Sequence, residues 1–296
     1  MELSQPLNLR SQFPDADLAA WERQFLSDLG VNSMVDAGWA PPGEVPAAPL
    51  TRRPEGIYCP STPGWEYVED VRLDTAGQAI EALQQAAEGG ADAGVLKLAD
   101  SVDAEEVRSL CRDTPIPIVL AGGSRPEGLL DLERVRGHYP DDCYIDLSGW
   151  GQAGASLCQL GAIAFSALAS ALDRHSGRTA HPILIEAPVR HELFHGAAFL
   201  RALRIGAARI AREFDAPTQP IIRASTCQTI LMERDLHTNL IRTTTAAVAS
   251  VLGGADWLTV HPHDTTTGGS ASGRRLARNV AHLLRHESHL DKVADP

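Results

Sequence analysis

The feature that most constrains this chain is a rhythm. From about residue 65, short apolar runs rich in β-branched residues recur at 65–68, 94–98, 116–120, 143–147, 183–187, 221–225 and 257–261. Stretches with three- and four-residue apolar periodicity alternate with them, at 76–89, 102–112, 127–137, 153–174, 194–214, 235–252 and 273–288. Runs that are apolar almost throughout belong to strands buried on both faces, and strand–helix units in succession build a parallel sheet wrapped by helices. The predicted fold class is therefore α/β, a (β/α)8 TIM-type barrel. Seven units are legible, and 292–296 reads as the opening of an eighth strand, so the barrel is expected to be incomplete at strand 8. An open doubly wound sheet is the competing architecture, but it would normally carry a Gly-rich phosphate fingerprint after its first strand, and none follows Val68. A barrel short of its last unit leaves a sheet edge and apolar helix flanks to be covered, which is a physical reason to expect a partner.

Two domains are expected, an arm and strap over 1–64 and a barrel over 65–296. In the arm, Leu18, Trp21, Phe25 and Leu29 fall on one helical face after Pro14-Asp15. Prolines at 41, 42, 46, 49, 54, 60 and 63 then exclude a helix or central strand and leave an extended strap. With 26 basic against 38 acidic side chains the formal charge is −12, which argues against nucleic acid or an anionic membrane as partner. No apolar run is long enough for a membrane span, and the N-terminus lacks the pattern of a secretory signal, so the expected location is cytoplasmic. The five cysteines are odd in number and form no C-x-x-C pair; they read as reduced thiols, with no metal expected.

In a barrel, chemistry gathers on the loops leaving the C-terminal ends of the strands. Those ends supply the catalytic candidates Glu186, His261, His263 and Asp264, and the substrate-binding candidates Asp146, Trp150, Arg190, His191, Arg223 and Gln228. His261 and His263 suit a general base and acid with Asp264 orienting one imidazole, although a polar pocket wall or a metal site are the other readings. Glu186 must be paired, hydrated or catalytic if it points into a barrel mouth. Gly122-Gly123-Ser124-Arg125 is either a plain turn or an anion cradle, and Cys227 either a buried thiol or a nucleophile within reach of His263 or His191. His282, His286 and His289 share one helical face, as a solvent or subunit contact before a metal site.

Residues 203–296 resemble the methylmalonyl-CoA mutase family. The resemblance is carried by Leu203-Arg204-Ile205-Gly206-Ala207-Ala208-Arg209, Arg223-Ala224-Ser225-Thr226, Asn239-Leu240-Ile241-Arg242-Thr243-Thr244-Thr245-Ala246 and Leu252-Gly253-Gly254-Ala255-Asp256. Arg278-Asn279, Glu287-Ser288-His289-Leu290 and Val293-Ala294-Asp295-Pro296 continue it, and Gly154-Ala155-Ser156, Gln159-Leu160 and Thr51-Arg52-Arg53 extend a weaker match over most of the chain. It is most similar to the small, non-catalytic subunits. The resemblance implies a substrate threaded along the barrel axis and adenosylcobalamin presented by a separate C-terminal domain, which is expected to be missing here. Ser148-Gly149-Trp150-Gly151 stands where catalytic members carry Gly-Tyr-His, and Ser225 with Gln228 where they carry His-x-Gln. No counterpart of the family's Arg-x-Ser is found around 186–189.

Three functions follow as expectations, and none uses a cofactor. The first is a barrel subunit in a heteromeric biosynthetic complex, paired with a related mutase-like chain and not itself a cobalamin-dependent mutase. In the second, the barrel pocket performs cobalamin-independent polar chemistry on a small molecule, such as an intramolecular displacement closing a ring (an aziridine, for example). The third is a small-molecule binding or chaperone-like module for a mutase.

Overall fold

This computed structural model describes residues 17–38, 64–71, 76–97, 112, 114–122, 135–175, 182–216 and 219–293. The chain divides into two units, Met1–Gly56 and Ile57–Pro296. In the first, α1 spans Leu18–Leu29; Asp17 caps it by accepting from the Ala20 N–H at 2.6 Å, and Gly30 ends it at φ 67°. Trp21 and Phe25 stack at 4.8 Å along one side, as the spacing predicts. Nearly all of the predicted strap lies outside the described residues.

The second unit carries β1 (Glu66–Val71), α2 (Ala76–Glu88), β2 (Ala93–Lys97), β3 (Ile118–Ala121), β4 (Val135–Tyr139) and β5 (Tyr144–Asp146). There follow α3 (Ser148–Gln152), α4 (Leu157–Arg174), β6 (Leu184–Val189), α5 (Leu193–Glu213), β7 (Ile221–Thr226), α6 (Leu236–Leu252), β8 (Trp257–Thr259) and α7 (Ala271–His282). Every ladder is parallel, in the order β4-β3-β2-β1-β8-β7-β6-β5. The ends of this order, β4 and β5, are consecutive in the chain and are joined by Pro140–Cys143, a turn closed by the Cys143 N–H on the Pro140 carbonyl at 2.7 Å. Parallel neighbours need a crossover of about a dozen residues or more. No ladder joins β4 to β5 among the described residues, so the barrel keeps one unsealed seam there, with this short turn running between its two edges.

The barrel class matches the sequence reading, but its irregularity lies elsewhere. β8 pairs directly with β1, Glu66 with Trp257 and Tyr67 with Leu258, so no gap waits between the last strand and the first. The stub at 292–296 is not a strand: Leu290–Lys292 is a 3-10 turn, Val293 is irregular, and 294–296 lie outside the described residues. The strand that periodicity misses is β4, whose N-terminal residues fall within the helix expected over 127–137. Pairing with β3 decides the matter, with Leu120 opposite His138 and Ala121 opposite Tyr139.

Strand alternation sorts the side chains into two faces. Outward residues such as Ile185, Ile222 and Leu258 pack against the helices in two large clusters. Inward residues Val68, Val95, Val119, Tyr139, Leu184 and Trp257 form one central cluster, in which Tyr139 meets Trp257 edge-on at 6.0 Å. Two residues further along, the inward positions change character. Asp70, Lys97, Asp146, Glu186, Arg223 and Thr259 stand above Val68, Val95, Tyr144, Leu184, Ile221 and Trp257. The barrel is thus apolar in its lower layer and charged at its mouth. Among the described residues, no helix is long and apolar enough to cross a membrane.

Candidate functional site

Arg223 organises the mouth. Its side chain is fully buried, donating from Nη1 to Glu186 at 2.8 Å, from Nη2 to Asp70, and from Nε and Nη2 to Thr259 Oγ1 at 3.1 and 2.9 Å. Thr259 Oγ1 in turn donates to the Val68 carbonyl at 2.8 Å, so the guanidinium links β6, β7, β8 and β1. Opposite it, Lys97 Nζ lies 3.2 Å from Asp146 and 3.0 Å from Glu186. Tyr144 also donates to Glu186, as does Ser148 Oγ at 3.1 Å, while the Ser148 N–H holds Asp146 at 2.8 Å.

The ionisation of these groups follows from the packing. Burial would raise the Asp70 carboxyl, but the Arg223 charge, with His261 and Lys97, outweighs it and holds Asp70 well below the ordinary carboxylate range. Asp146 is likewise lowered, its burial offset by Lys97 and the bonds from Ser148. Lys97 is raised, because Glu186, Asp70 and Asp146 outweigh its own burial. Burial and the charge of Glu186 drive Tyr144 well above a normal phenol, so it remains a donor.

Beside this network lies a cavity of about 920 Å³. Lys97, Glu186, Gln228 and His261 face it from the mouth, and it continues outward over β1 between Glu81 and Gln85 of α2 and Arg274 and Arg278 of α7. Arg278 grips Glu69 with two bonds of 2.7 and 2.9 Å, tying α7 to β1. His261 is fixed from two sides. Its backbone N–H donates to Thr226 Oγ1 at 2.8 Å, and Nδ1 meets the Thr226 carbonyl at 2.6 Å; a carbonyl only accepts, so Nδ1 carries the proton. Nε2 then points at Asp70, 3.5 Å away.

The candidates therefore separate. Glu186, Arg223, Asp146 and His261 converge at the mouth, and Gln228 lines the cavity. Asp264 accepts from the Ser270 N–H at 2.9 Å and Ser270 Oγ at 2.5 Å, and so positions the start of α7, and it makes no hydrogen bond to His261 or His263 among the described residues. His263, Trp150, Arg190 and His191 are not among the described residues lining the cavity; Trp150 is exposed, and His191 stands 4.0 Å from Glu192. Cys227 is buried with its sulfur 3.1 Å from Thr229 Oγ1. The Gly122 N–H is already taken by the Tyr139 carbonyl at 2.8 Å, and 123–125 lie outside the described residues. His282 meets the Gly89 carbonyl at 2.6 Å and stacks on His286, joining α7 to the end of α2. Sequence reasoning missed Asp70, Tyr144 and Thr259. Counting β1 three residues further, to Val71, would have placed Asp70 on the inward face with Val68.

The sequence model of the methylmalonyl-CoA mutase family matches residues 180–296. The methylmalonyl-CoA mutase small subunit of Streptomyces virginiae is 30% identical over 310 aligned residues, covering 98% of this chain and 47% of that protein. A probable methylmalonyl-CoA mutase small subunit of Mycobacterium bovis is 38% identical over 111 residues, 35% of this chain and 18% of that protein. The chain thus spans about half the length of the Streptomyces relative. Among solved structures, (S)-3-O-geranylgeranylglyceryl phosphate synthase from Thermoplasma acidophilum aligns with a TM-score of 0.41 at 12% identity, covering 74% of this chain and 92% of that one. Residues 180–296 thus match the methylmalonyl-CoA mutase family, and nearly the whole chain is similar to a methylmalonyl-CoA mutase small subunit.

Proposed function

We propose that this chain is a mutase-like barrel subunit of a heteromeric biosynthetic complex, that it works without cobalamin, and that its mouth network serves structure rather than turnover. One observation carries the reading. Glu186 receives four donors, from Lys97, Tyr144, Ser148 and Arg223. A carboxylate has about four lone-pair sites, so none is left to take a proton from a substrate. Nor do the residues present fit the reaction path that the resemblance implies. A thioester threaded along the axis would have to pass the level at which Lys97 reaches from β2 to Asp146 on β5 and Glu186 on β6. That the relatives are mutase small subunits supports a larger mutase-like partner.

Co-expression with a mutase-like partner tests this reading. The expected result is a stable heteromer on a sizing column whose turnover is unchanged by His261→Ala in this chain. The second reading, polar chemistry at the cavity, draws support from His261 aimed at Asp70 beside a space large enough for a small molecule. Loss of turnover in His261→Ala with assembly intact would favour that reading and end the first.

A further inference from the structure

At the other end of the barrel from the mouth, the turn that joins β4 to β5 meets the C-terminal end of α4. There Asp142, Cys143 and His175 bring three potential ligand atoms within 4.8 Å of one another. We propose that these side chains form a binding site for a zinc-type divalent cation, which fastens the unladdered seam of the barrel to α4. Residue spacing hides the set, because a strand and two helices lie between Cys143 and His175.

The donor chemistry selects the ion. Thiolate, imidazole and carboxylate together suit a borderline-soft cation such as zinc, whereas magnesium and calcium take oxygen ligands. Bond lengths of about 2.0–2.3 Å to one tetrahedral ion separate its ligand atoms by roughly 3.3–3.8 Å, within reach of a cluster this tight. His175 Nε2 lies 2.8 Å from Asp142 Oδ2, yet this solvent-shielded nitrogen makes no hydrogen bond of acceptable angle. Cys143 is buried, and burial together with the Asp142 charge pushes its thiol up to about 11.

Binding is balanced in charge and atoms. The Cys143 S–H bond breaks, its proton leaves to solvent, and the thiolate, the Asp142 carboxylate and a neutral His175 surround a dication, with water in the fourth position. The net charge of the site is then zero, which lowers the cost of burying it. No electron is transferred.

The test titrates zinc(II) into the metal-stripped full chain by calorimetry and follows cobalt(II) as a spectroscopic probe. One equivalent should bind, release a proton, and give a thiolate-to-cobalt charge-transfer band. Cys143→Ser should abolish the band, and Cys143→Ser and His175→Ala should each weaken zinc binding by at least about tenfold. Circular dichroism confirms that each variant is folded, and Cys158→Ser, at an exposed thiol, should bind like the parent. Absence of stoichiometric zinc binding in the parent overturns the proposal. So does undiminished binding in both Cys143→Ser and His175→Ala, which would put the ion elsewhere.

Discussion

Arg223 has no route to solvent and two carboxylates to neutralise, and that makes it the residue on which the mouth depends. Removing one partner of a buried ion pair leaves the other uncompensated, at a cost of about 3–5 kcal/mol. Arg223→Met should lower the unfolding free energy by that order in urea titration, with the slope unchanged. Arg223→Lys should recover little of it. One ammonium cannot reproduce a fork that reaches Glu186, Asp70 and Thr259 at once. The depressed carboxylates set the acid limit. Asp70 and Asp146 are lowered in the folded state, so their contribution is complete above the ordinary carboxylate range near pH ~4 and is lost as pH falls through their folded values. Lys97 is raised, so its contribution persists through the neutral range and disappears only above the ordinary lysine range, as pH rises through its folded value. Unfolding at a series of pH values should therefore show stability declining below about pH 4, and less steeply in Asp146→Asn. Glu186 and Arg223 were recognisable in the sequence because each interrupts an apolar run. Asp70 was not, because the run before it ends at Val68 and the strand does not.

At the level of elements, close packing of sheet against helix decides what the wall tolerates. Gly94 on β2 sits so near Leu83 of α2 that an added Cβ would come within 2.2 Å of a Leu83 methyl group. Leu83 is itself buried and has little room to yield. Gly94→Ala should cost about 1–3 kcal/mol, measured by chemical denaturation, despite alanine's better intrinsic propensity. The helices and strands with strong period were legible before the structure was known. Gly90 ends α2 at φ 77°, the Ala91 N–H returning to the Ala86 carbonyl at 2.9 Å, as the Gly89-Gly90 pair suggests. β4 was not legible. Val135-Arg136-Gly137-His138-Tyr139 has too few apolar residues to announce a strand, and only its ladder with β3 defines it. The Pro140–Cys143 joint was missed with it, and so was the juxtaposition of Cys143 with His175.

For the whole molecule, the sequence disclosed the barrel and the family but put the irregularity at the wrong place. An open edge after β8 would itself have called for a covering chain, yet β8 pairs with β1 and the unladdered seam lies between β4 and β5. The case for a partner now rests on kinship with small subunits and on a mouth whose acidic and basic groups already satisfy one another. If that is right, the chain should co-purify with a mutase-like partner and bring no turnover of its own. The central claim is that this mutase-like barrel is closed across its axis by Lys97 with Asp146 and Glu186, while Arg223 braces the wall beside them. It is tested most directly by titrating the purified chain with methylmalonyl-CoA and adenosylcobalamin together. The account predicts no saturable uptake of either; stoichiometric binding of both, with isomerised thioester formed, would contradict it.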